Sequence, residues 1–589
     1  MNSKIKNINS AISEARKTSR EFVDNLRNGN FDVASEKLDE ANTAIASIRK
    51  ETSFLKSTPK FFLRNEKICI ENILMKTDYL TDLSNFLLSG IKNTGISSKG
   101  RTYKDLTPDN FLQFRDWLIK NENKIVALQE KGGVISESKC SVTEKQLVDA
   151  DKSISNYLGV SQKVLSYTKP VMELMRLAGV PYERKYLFLI QNSQDLRPGG
   201  GLISVYGIAK FKGGELIGIK TDHVVKSLKR VFIKPNVPNP EPIKKYLRGD
   251  KNLIIYDANW SPDQDQWLSS VFSTWQLSGT DKQIDGIVVI STPFLEKIID
   301  NYNGIEIPGV QEKFTSENLV LSLDYITEYS EKEKGKSPRY EVLGKVLEQI
   351  VQKMQSTDIM QLEKVTNTFV DGAKARDIYV YVPSVEEKQA IYDMGQPNLA
   401  VSKGDEVFVL DSGLGSGKAD AVMKRSLSIL VNAREQEKIS SEVVVSYDFS
   451  NAKSDYRTYP YNGYLRVGLP LGVEETAMQG ANSVTPDVTE EIGRKFFGNY
   501  VSVGLGGTQK VSLDYNQNSE IVNDMANGKY SLTLRKQSGL NMPFEVKIML
   551  PGKMTFKAKV NGGIVYGDGK SEIIWRGTLD KDLQLQLAI

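Results

Sequence analysis

The segment at 185–207, KYLFLIQNSQDLRPGGGLISVYG, places charged residues directly after an unbroken apolar run. Ligands of α/β proteins bind at strand ends, and consecutive glycines let backbone N–H groups approach an anion. Arg197 could hold a phosphate through two hydrogen bonds, while Asp195 could share a divalent cation or fix the arginine. The alternative is a structural Asp–Arg pair that closes a tight turn. The glycines of this loop are Gly199, Gly200 and Gly201.

A second acidic position follows the apolar stretch ELIGIK, where Asp222 precedes His223. Asp222 is a candidate metal ligand or base. His223 is the single histidine of the sequence. A lone histidine is more often a structural residue than a ligand or a base, so we assign it no role.

Oxygen-bearing side chains of the kind that Mg²⁺ or Ca²⁺ prefers also occur in YDANWSPDQDQW, as Asp257, Asn259 and Asp263. Their spacing does not match an EF-hand loop. Trp260 could be a platform for a sugar or a core residue. Pro262 and its polar neighbours equally indicate a capped helix start at SPDQDQW.

The glycine-rich segment LDSGLGSGK is similar in composition to a nucleotide-binding P-loop but differs from it in spacing. A P-loop requires glycine where this chain has Ser412, and a hydroxyl residue where it has Ala419. We therefore exclude a Walker motif. Two interpretations are left: an anion site with Lys418 and Arg425 as ligands, or a plain strand-to-helix turn.

Composition limits the chemistry that these residues can do. Two cysteines, Cys69 and Cys140, are too few for a disulfide framework or a thiolate metal cage, and we expect each to be a small buried residue. One histidine excludes a histidine-rich zinc site. The 589 residues carry 77 Lys and Arg against 73 Asp and Glu, which is no footprint of a nucleic-acid-binding protein.

The elements that must position these candidates fall into three regions, the first of which is helical. Residues 1–180 show helical spacing, with Ala34, Leu38 and Ala41 on one stripe. Thr107 is predicted as an N-cap and Pro108 as the first residue of a further helix. We predict a helical bundle.

The second and third regions differ in their hydrophobic period. Residues 181–435 alternate short apolar runs with helical segments, which predicts an α/β domain whose strands are YLFLIQ, LIIYDANW, IDGIVVIS, IYVYV and EVFVLD. From 436 to 589 the period is two, which predicts an antiparallel β-sandwich of the immunoglobulin-like type. No stretch approaches the roughly 20 apolar residues of a membrane span, so we expect this chain itself to be soluble.

Taken in order, these motifs resemble the bacterial domain of unknown function 4012 family, whose core is similar to the LytR-CpsA-Psr domain. The resemblance covers about residues 186–550. One departure is Gly199, where the family pattern has a hydroxyl residue. The motifs are YLFLIQNSQDLRPGGGLISVYG, DANWSPD, IDGIVVISTPFLEKIIDNYNGIEIPG, DSGLGSGKADAVMKRS, YNGYLRVGLPLG and LTLRKQSG.

The resemblance implies an extracytoplasmic cell-envelope protein tethered by an N-terminal transmembrane helix that this sequence lacks. LytR-CpsA-Psr enzymes use Mg²⁺ to transfer a glycopolymer phosphate from a polyprenyl-pyrophosphate carrier onto peptidoglycan. By carry-over, Asp195 and Asp222 would be metal ligands or bases, and Asp257 is a further metal candidate from its own segment. Arg197 and Arg339 would hold the pyrophosphate. Such phosphoryl transfer depends on positioning and charge neutralisation, so it needs no histidine or cysteine.

Two hypotheses follow. In the first, the protein binds, and could transfer, a polyprenyl-(pyro)phosphate-linked glycopolymer to the cell wall, with Mg²⁺ as cofactor; this requires an apolar tunnel ending beside Asp195, Arg197 and Asp222. Against transfer, Thr221 stands where those enzymes have an arginine before the second aspartate. In the second hypothesis, the protein is a non-catalytic surface, adhesion or scaffold protein on a degenerate LytR-CpsA-Psr-like fold, and its β-sandwich binds glycan or protein partners.

Overall fold

The computed structural model describes residues 30–52, 64–93, 108–136 and most of 175–588, with a few further residues at 13–25, 148–155 and 173. Within 175–588, the gaps in the description are 224–236, 278–282, 309–311, 324–338, 358, 436–437, 455–457 and 568. The chain has a mixed α/β architecture with several sheets and a C-terminal β-rich region.

The described part of the N-terminal region is helical, as predicted. Its helices are α1 Phe31–Thr52, α2 Arg64–Asn93, α3 Pro108–Lys120 and α4 Glu122–Ser136. The stripe of Ala34, Leu38 and Ala41 on α1 is buried. Helix α2 packs against α4, where the Tyr79 hydroxyl donates a 2.8 Å hydrogen bond to the carbonyl of Leu128. Helix α3 begins at Pro108, as the sequence predicts, whereas Thr107 lies outside the described residues.

One expectation about this region needs correction. Cys69 on α2 is fully buried, as expected, but it is disulfide-bonded rather than a plain core residue. The disulfide could not be predicted from the separation of the cysteines in sequence, because the packing of the helices determines which distant residues are in contact. Cys140, the other cysteine of the sequence, lies outside the described residues. None of the helices in the described part of the chain is long and apolar enough to cross a membrane.

A mixed sheet lies at the centre of the α/β region. Its described strands are β1 Arg184–Arg197, β2 Gly200–Lys212, β3 Glu215–His223, β4 Gly286–Ser291 and β5 Ile378–Tyr381. They are ordered β3-β2-β1-β4-β5, and β1 pairs antiparallel with β2 and parallel with β4. Successive residues of a strand point to opposite faces, so Leu189 packs in one core with Trp267 and Ile190 packs in another with Phe294.

Helices cover both faces of this sheet. They are α5 Gln264–Leu277, α6 Thr292–Asp300, α7 Arg339–Gln355, α8 Ile359–Lys374 and α9 Val385–Asp393. Helix α5 starts where the SPDQDQW segment predicts, because the Asp263 carboxylate accepts a hydrogen bond from the backbone N–H of Gln266. Asp263 is therefore a helix cap.

One strand prediction in the α/β region is wrong, and one predicted strand belongs to a different sheet. The segment LIIYDANW contains a 3-10 helix at Ile255–Trp260 rather than a strand. EVFVLD does form a strand, β6 Asp405–Leu410, but it belongs to a sheet of the C-terminal region. A short apolar run does not show which sheet it will join, because pairing is decided by long-range packing.

The C-terminal region is built from two sheets, each with seven described strands. The strands that follow β6, together with helix α10, are β7 Lys424–Glu435, β8 Lys438–Asp448, β9 Tyr461–Pro470, β10 Glu474–Gln479, β11 Asp487–Glu491, β12 Arg494–Val503, β13 Thr508–Asn516, α10 Ser519–Ala526, β14 Lys529–Arg535, β15 Met542–Met554, β16 Lys557–Val560, β17 Ile564–Tyr566, β18 Lys570–Leu579 and β19 Leu583–Ala588. The strand orders of the two sheets are β10-β13-β8-β7-β15-β18-β17 and β11-β12-β9-β6-β14-β19-β16. Apolar residues of both sheets belong to one hydrophobic core, including Val409 of the second sheet and Ile429 of the first.

Candidate functional site

The charged turn of the NSQDLRPGGG segment lies at the end of β1, where the strand loses its regular pairing. Asn192 pairs with Leu202 and Leu196 with Gly201, so residues 193–195 bulge out of the ladder. A bulge redirects side chains and bends the strand. Here it brings the carboxylate of Asp195 to the guanidinium of Arg197.

Arg197 is a buried ion-pair centre. It is only 2% exposed, its Nη1 lies 2.6 Å from Asp195, and its Nε lies 3.0 Å from Asp257, which is fully buried. Nη1 also donates to the carbonyls of Leu196 and Gly413, both at 2.8 Å. Burial disfavours the charge of Arg197, yet Asp195 and Asp257 hold the pKa of this guanidinium above its ordinary value. The positive charge of Arg197 is therefore already paired within the protein, and its N–H groups already donate to protein acceptors.

Asp257 also pairs with a second arginine. Its other carboxylate oxygen accepts a 2.5 Å hydrogen bond from Nε of Arg248. Burial raises the pKa of Asp195 from its ordinary value, although Arg197 opposes this shift. The carboxylates that we proposed as metal ligands are thus arranged around arginines.

Arg425 forms a second buried cluster next to the first. Its side chain is 1% exposed and pairs with Asp411 at 2.6 Å and with Asp420. The other oxygen of Asp420 accepts a 2.9 Å hydrogen bond from the backbone N–H of Leu196, which joins the two clusters. Burial raises the pKa of Asp420 to about 6, although Arg425 lowers it.

The three glycines serve close packing. A Cβ at Gly199 would approach Asn259 to 2.9 Å, and one at Gly201 would clash with the backbone of Asn192. Gly200 has a φ of 135°, which other residues rarely adopt. Asn259 completes the turn: its side-chain amide donates to the Gly201 carbonyl at 2.7 Å, and its own carbonyl accepts from the Gly199 N–H at 2.9 Å.

The structure brings some of the predicted site residues together and leaves others apart. Asp195, Arg197, Asp257, Asn259, the glycines and Arg425 all belong to this junction. Asp222 does not, because its backbone on β3 pairs with Tyr206, which in turn faces Leu189. Asp222 is therefore two strands away from β1 and at least three residues before the end of β1. This offset places Asp222 more than about 10 Å from the end of β1.

The remaining predicted residues lie at other positions. Arg339 is the first residue of α7, whose Gly344 lies against Thr221 of β3. The side chains of Asp222 and Arg339 are outside the described part of the chain. Lys418 is half-buried and precedes a single 3-10 turn, Ala419–Ala421. The glycine-rich loop before it therefore leads into no α-helix whose N-terminus could bind a phosphate.

The residues of this junction do not fit a Mg²⁺ site. A cation bound to Asp195 or Asp257 would face the guanidinium of Arg197 at hydrogen-bond distance of the same carboxylates. Among the described residues, no three His, Cys, Asp or Glu side chains converge as metal ligands would. We therefore assign no chemical step to the ion.

Sequence reasoning missed the residues that close the junction from the C-terminal region. The Gln537 side chain donates to the carbonyls of Arg197 at 2.9 Å and Asp411 at 2.7 Å. Lys536 is fully buried and lies 3.4 Å from Asp377, while Arg376 makes a bidentate pair with Asp582. The only signal was the run RKQ directly after the apolar strand in LTLRKQSG.

A cavity of about 530 Å³ lies at the edge of the same junction, between the α/β region and β11. Asp195 and Arg197 do not line it, nor do they line a cavity of about 400 Å³ beside α3 and α9. The 530 Å³ cavity is lined by Pro240, Glu241, Pro242, Lys245, Tyr246, Trp260, Tyr464, Arg466, Asp487, Thr489, Glu491 and Gly498.

Comparison with known families finds one match. Residues 182–325 match the family model described as protein of unknown function (DUF4012). The match supports the family that the motifs resemble. The DUF4012 segment includes β1, the three glycines and Asp257, so it covers the α/β half of the buried junction. No curated protein matches the sequence.

Solved structures give only remote matches. A candidate nutrient binding protein from Legionella pneumophila is 13% identical and matches 32% of this chain and 71% of its own, with a TM-score of 0.21. An M1 zinc metallopeptidase from Deinococcus radiodurans is 13% identical over 32% of this chain and 43% of its own, with a TM-score of 0.18. Yeast LTA4 hydrolase is 10% identical over 28% and 29%, again with a TM-score of 0.18. TM-scores of this size support no inference about the fold or the activity of this chain.

Proposed function

We propose that this protein is a non-catalytic, extracytoplasmic cell-envelope protein whose α/β and C-terminal regions form one scaffold for binding glycan or protein partners. In this proposal the α/β region has a LytR-CpsA-Psr-like core, and the two C-terminal sheets form a β-sandwich. Their shared core supports the sandwich. The observation that carries the proposal is the burial of Arg197.

A pyrophosphate clamp needs a guanidinium that can reach the ligand. Arg197 is 2% exposed and already donates to Asp195, Asp257 and two backbone carbonyls. Binding a pyrophosphate there would require breaking ion pairs in a buried site, which costs several kcal/mol. The geometry therefore favours a structural role for the residue that transfer would need most.

The extracytoplasmic location is supported by Cys69. Disulfides form and persist in oxidising environments and are rare in the cytosol of most organisms. A disulfide at a fully buried position of α2 is consistent with folding outside the cytoplasm. Alkylation of the freshly isolated protein, followed by mass spectrometry, should find no modified cysteine; two alkylated cysteines would contradict the location.

A transfer assay tests the absence of catalysis. Purified protein would be incubated with Mg²⁺, a polyprenyl-pyrophosphate-linked oligosaccharide and peptidoglycan, with EDTA in a parallel sample. We expect no release of polyprenyl phosphate above the EDTA background. Mg²⁺-dependent release by the wild type that is lost in a folded Asp195→Asn variant would overturn the proposal.

A further inference from the structure

The 530 Å³ cavity, here called the aromatic cleft, has a volume within the range of small-molecule sites. One wall comes from the edge strand β11, where Asp487, Thr489 and Glu491 alternate with Val488 and Glu490. Alternate residues of a strand point to the same face, so these three polar side chains line the cleft together. They form a row of hydrogen-bonding groups.

The floor of the cleft is aromatic. The rings of Trp260 and Tyr464 lie 6.2 Å apart, and those of Tyr464 and Tyr246 lie 6.4 Å apart. Tyr246 is half-buried and stacks at 4.4 Å on Tyr500, which fixes the plane of its ring. The Tyr464 hydroxyl donates to Asp487 at 2.7 Å, so aromatic and acidic groups are held in one arrangement.

Arg466 supplies a fixed donor at the base of the cleft. It is 5% exposed, its guanidinium lies 4.9 Å over the ring of Trp260, and it donates to Glu491 at 2.6 Å and to the Trp260 carbonyl at 2.7 Å. Its Nε is buried and has no hydrogen-bond partner among the described residues. A buried donor without a partner costs free energy, and a ligand oxygen or a water that it holds would remove this cost.

The charge of the cleft selects the class of ligand. Three carboxylates, Glu241, Asp487 and Glu491, stand against two cations, Lys245 and Arg466. This balance would repel a polyanion such as a pyrophosphate. Aromatic faces beside carboxylates and an arginine instead suit a neutral ligand with many hydroxyl groups.

We propose that the aromatic cleft binds the sugar rings of a neutral oligosaccharide, with the half-buried Tyr246 as the stacking platform and with Asp487 and Glu491 accepting from sugar hydroxyls. The Nζ of Lys245 lies 4.9 Å over the Tyr246 ring, so a stacked sugar would displace this exposed side chain. This proposal rests on the scaffold function above and assigns its ligand. The sugar, rather than the phosphate, of an envelope glycan is the part that is recognised.

Titration calorimetry on the full chain tests the cleft. The probes are the tetrasaccharide of N-acetylglucosamine and maltotetraose, with inorganic pyrophosphate as the anionic probe. We expect saturable binding of at least one saccharide and none of pyrophosphate. Tyr246→Ala and Asp487→Ala should each weaken saccharide binding at least about tenfold, because each removes one major contact. Asp487 is exposed, and Tyr246 is half-buried where it packs against the edge of a core, so both variants should fold.

Tyr182→Ala is the matched control, because Tyr182 is a highly exposed tyrosine in the other cavity. It should leave saccharide binding unchanged. Saccharide binding that survives in both cleft variants would overturn the cleft while leaving the scaffold proposal intact. Binding of pyrophosphate in place of sugar would overturn the ligand class. Failure of the scaffold proposal appears separately, as turnover in the transfer assay.

Discussion

At the scale of the residue, the guanidinium of Arg197 pairs with two carboxylates, Asp195 and Asp257. Asp195 and Arg197 do pair, and Asn259 and the three glycines lie beside them. The alternative of a structural Asp–Arg pair is the arrangement that the structure contains. Sequence could not decide this, because a guanidinium has the same chemistry toward phosphate and carboxylate. Only burial and the position of Asp257 distinguish the two roles.

Removing the Arg197 guanidinium should destabilise the protein strongly. Arg197→Ala would leave Asp195 and Asp257 without their shared cation, and breaking a buried pair costs about 3–5 kcal/mol. The free energy of unfolding from urea titration measures this loss. Arg576→Ala is the control, because its pair with Glu545 is exposed and should change stability by at most about 0.5 kcal/mol. A loss below about 1 kcal/mol for Arg197→Ala would contradict the structural role.

The glycine loop gives a second residue-scale prediction. Gly201→Ala should cost about 1–3 kcal/mol, because its Cβ would clash with the Asn192 backbone, which cannot move without breaking the β1–β2 pairing. Gly218→Ala on β3 is the matched control, since a Cβ there meets open space. Thermal unfolding of both variants measures the difference. Equal melting temperatures would contradict the close packing of Gly201 against the Asn192 backbone.

At the scale of the element, hydrophobic periodicity predicted most of the helices and strands. It was wrong where an apolar segment also contains polar side chains that are buried and hydrogen-bonded. LIIYDANW has the apolar content of a strand, but Asp257 and Asn259 are fully buried and bonded to Arg197 and Gly201. The segment makes those contacts from a kinked 3-10 helix, in which Asp257 and Asn259 have non-helical backbone angles. EVFVLD was predicted as a strand correctly, yet its sheet could not be predicted from its residues.

Helix α6 carries the clearest pH-dependent group. Burial raises the pKa of Glu296 to about 7, Asp300 one turn later adds to the shift, and Lys297 opposes it. Because this pKa lies above its unfolded value, the folded state binds the extra proton. The contribution of this proton to the free energy of unfolding is fully present below about pH 4.5 and is lost as the pH rises through about 7.

Glu296→Gln should therefore stabilise the protein at high pH only. At pH 8 the variant should exceed the wild type by roughly 1–2 kcal/mol, a value reduced for partial solvent screening, and at pH 4.5 the two should agree. Urea titrations at both pH values measure the difference. Glu306→Gln, at an exposed position, is the matched control. A Glu296→Gln effect that is the same at pH 4.5 and pH 8 would contradict the assignment.

At the scale of the whole molecule, residues of several resemblance motifs meet in one buried junction. Arg197 and Asp257 come from the α/β region, whereas Asp411, Arg425 and Gln537 come from the C-terminal region, and all lie in one buried junction. Composition and periodicity predicted the two regions but not this junction, because its pairs are separated by up to 340 residues. The contact between motifs that are so far apart in sequence can be identified only from the three-dimensional structure.

The junction should couple the unfolding of the two regions. Arg376, after α8, makes bidentate hydrogen bonds to Asp582, before β19, at 2.6 and 2.8 Å. Although burial raises it, Arg376 and Arg535 hold the pKa of Asp582 at about 2, so this carboxylate stays charged. Arg376→Ala should lower stability by about 3 kcal/mol, and the α/β region should then melt before the β-rich region.

Differential scanning calorimetry of the full chain measures this coupling. The wild type should show the α/β and C-terminal regions melting in one transition, and Arg376→Ala should split it into two. Arg376→Lys keeps the charge but loses the planar fork, so it should fall between the two. Lys547→Ala is the control, because its pair with Glu572 is about one-third exposed and lies within the C-terminal region. Two transitions already present in the wild type would show that the ion pairs of the junction do not bind the regions into one cooperative unit, and the scaffold would then consist of two independent domains.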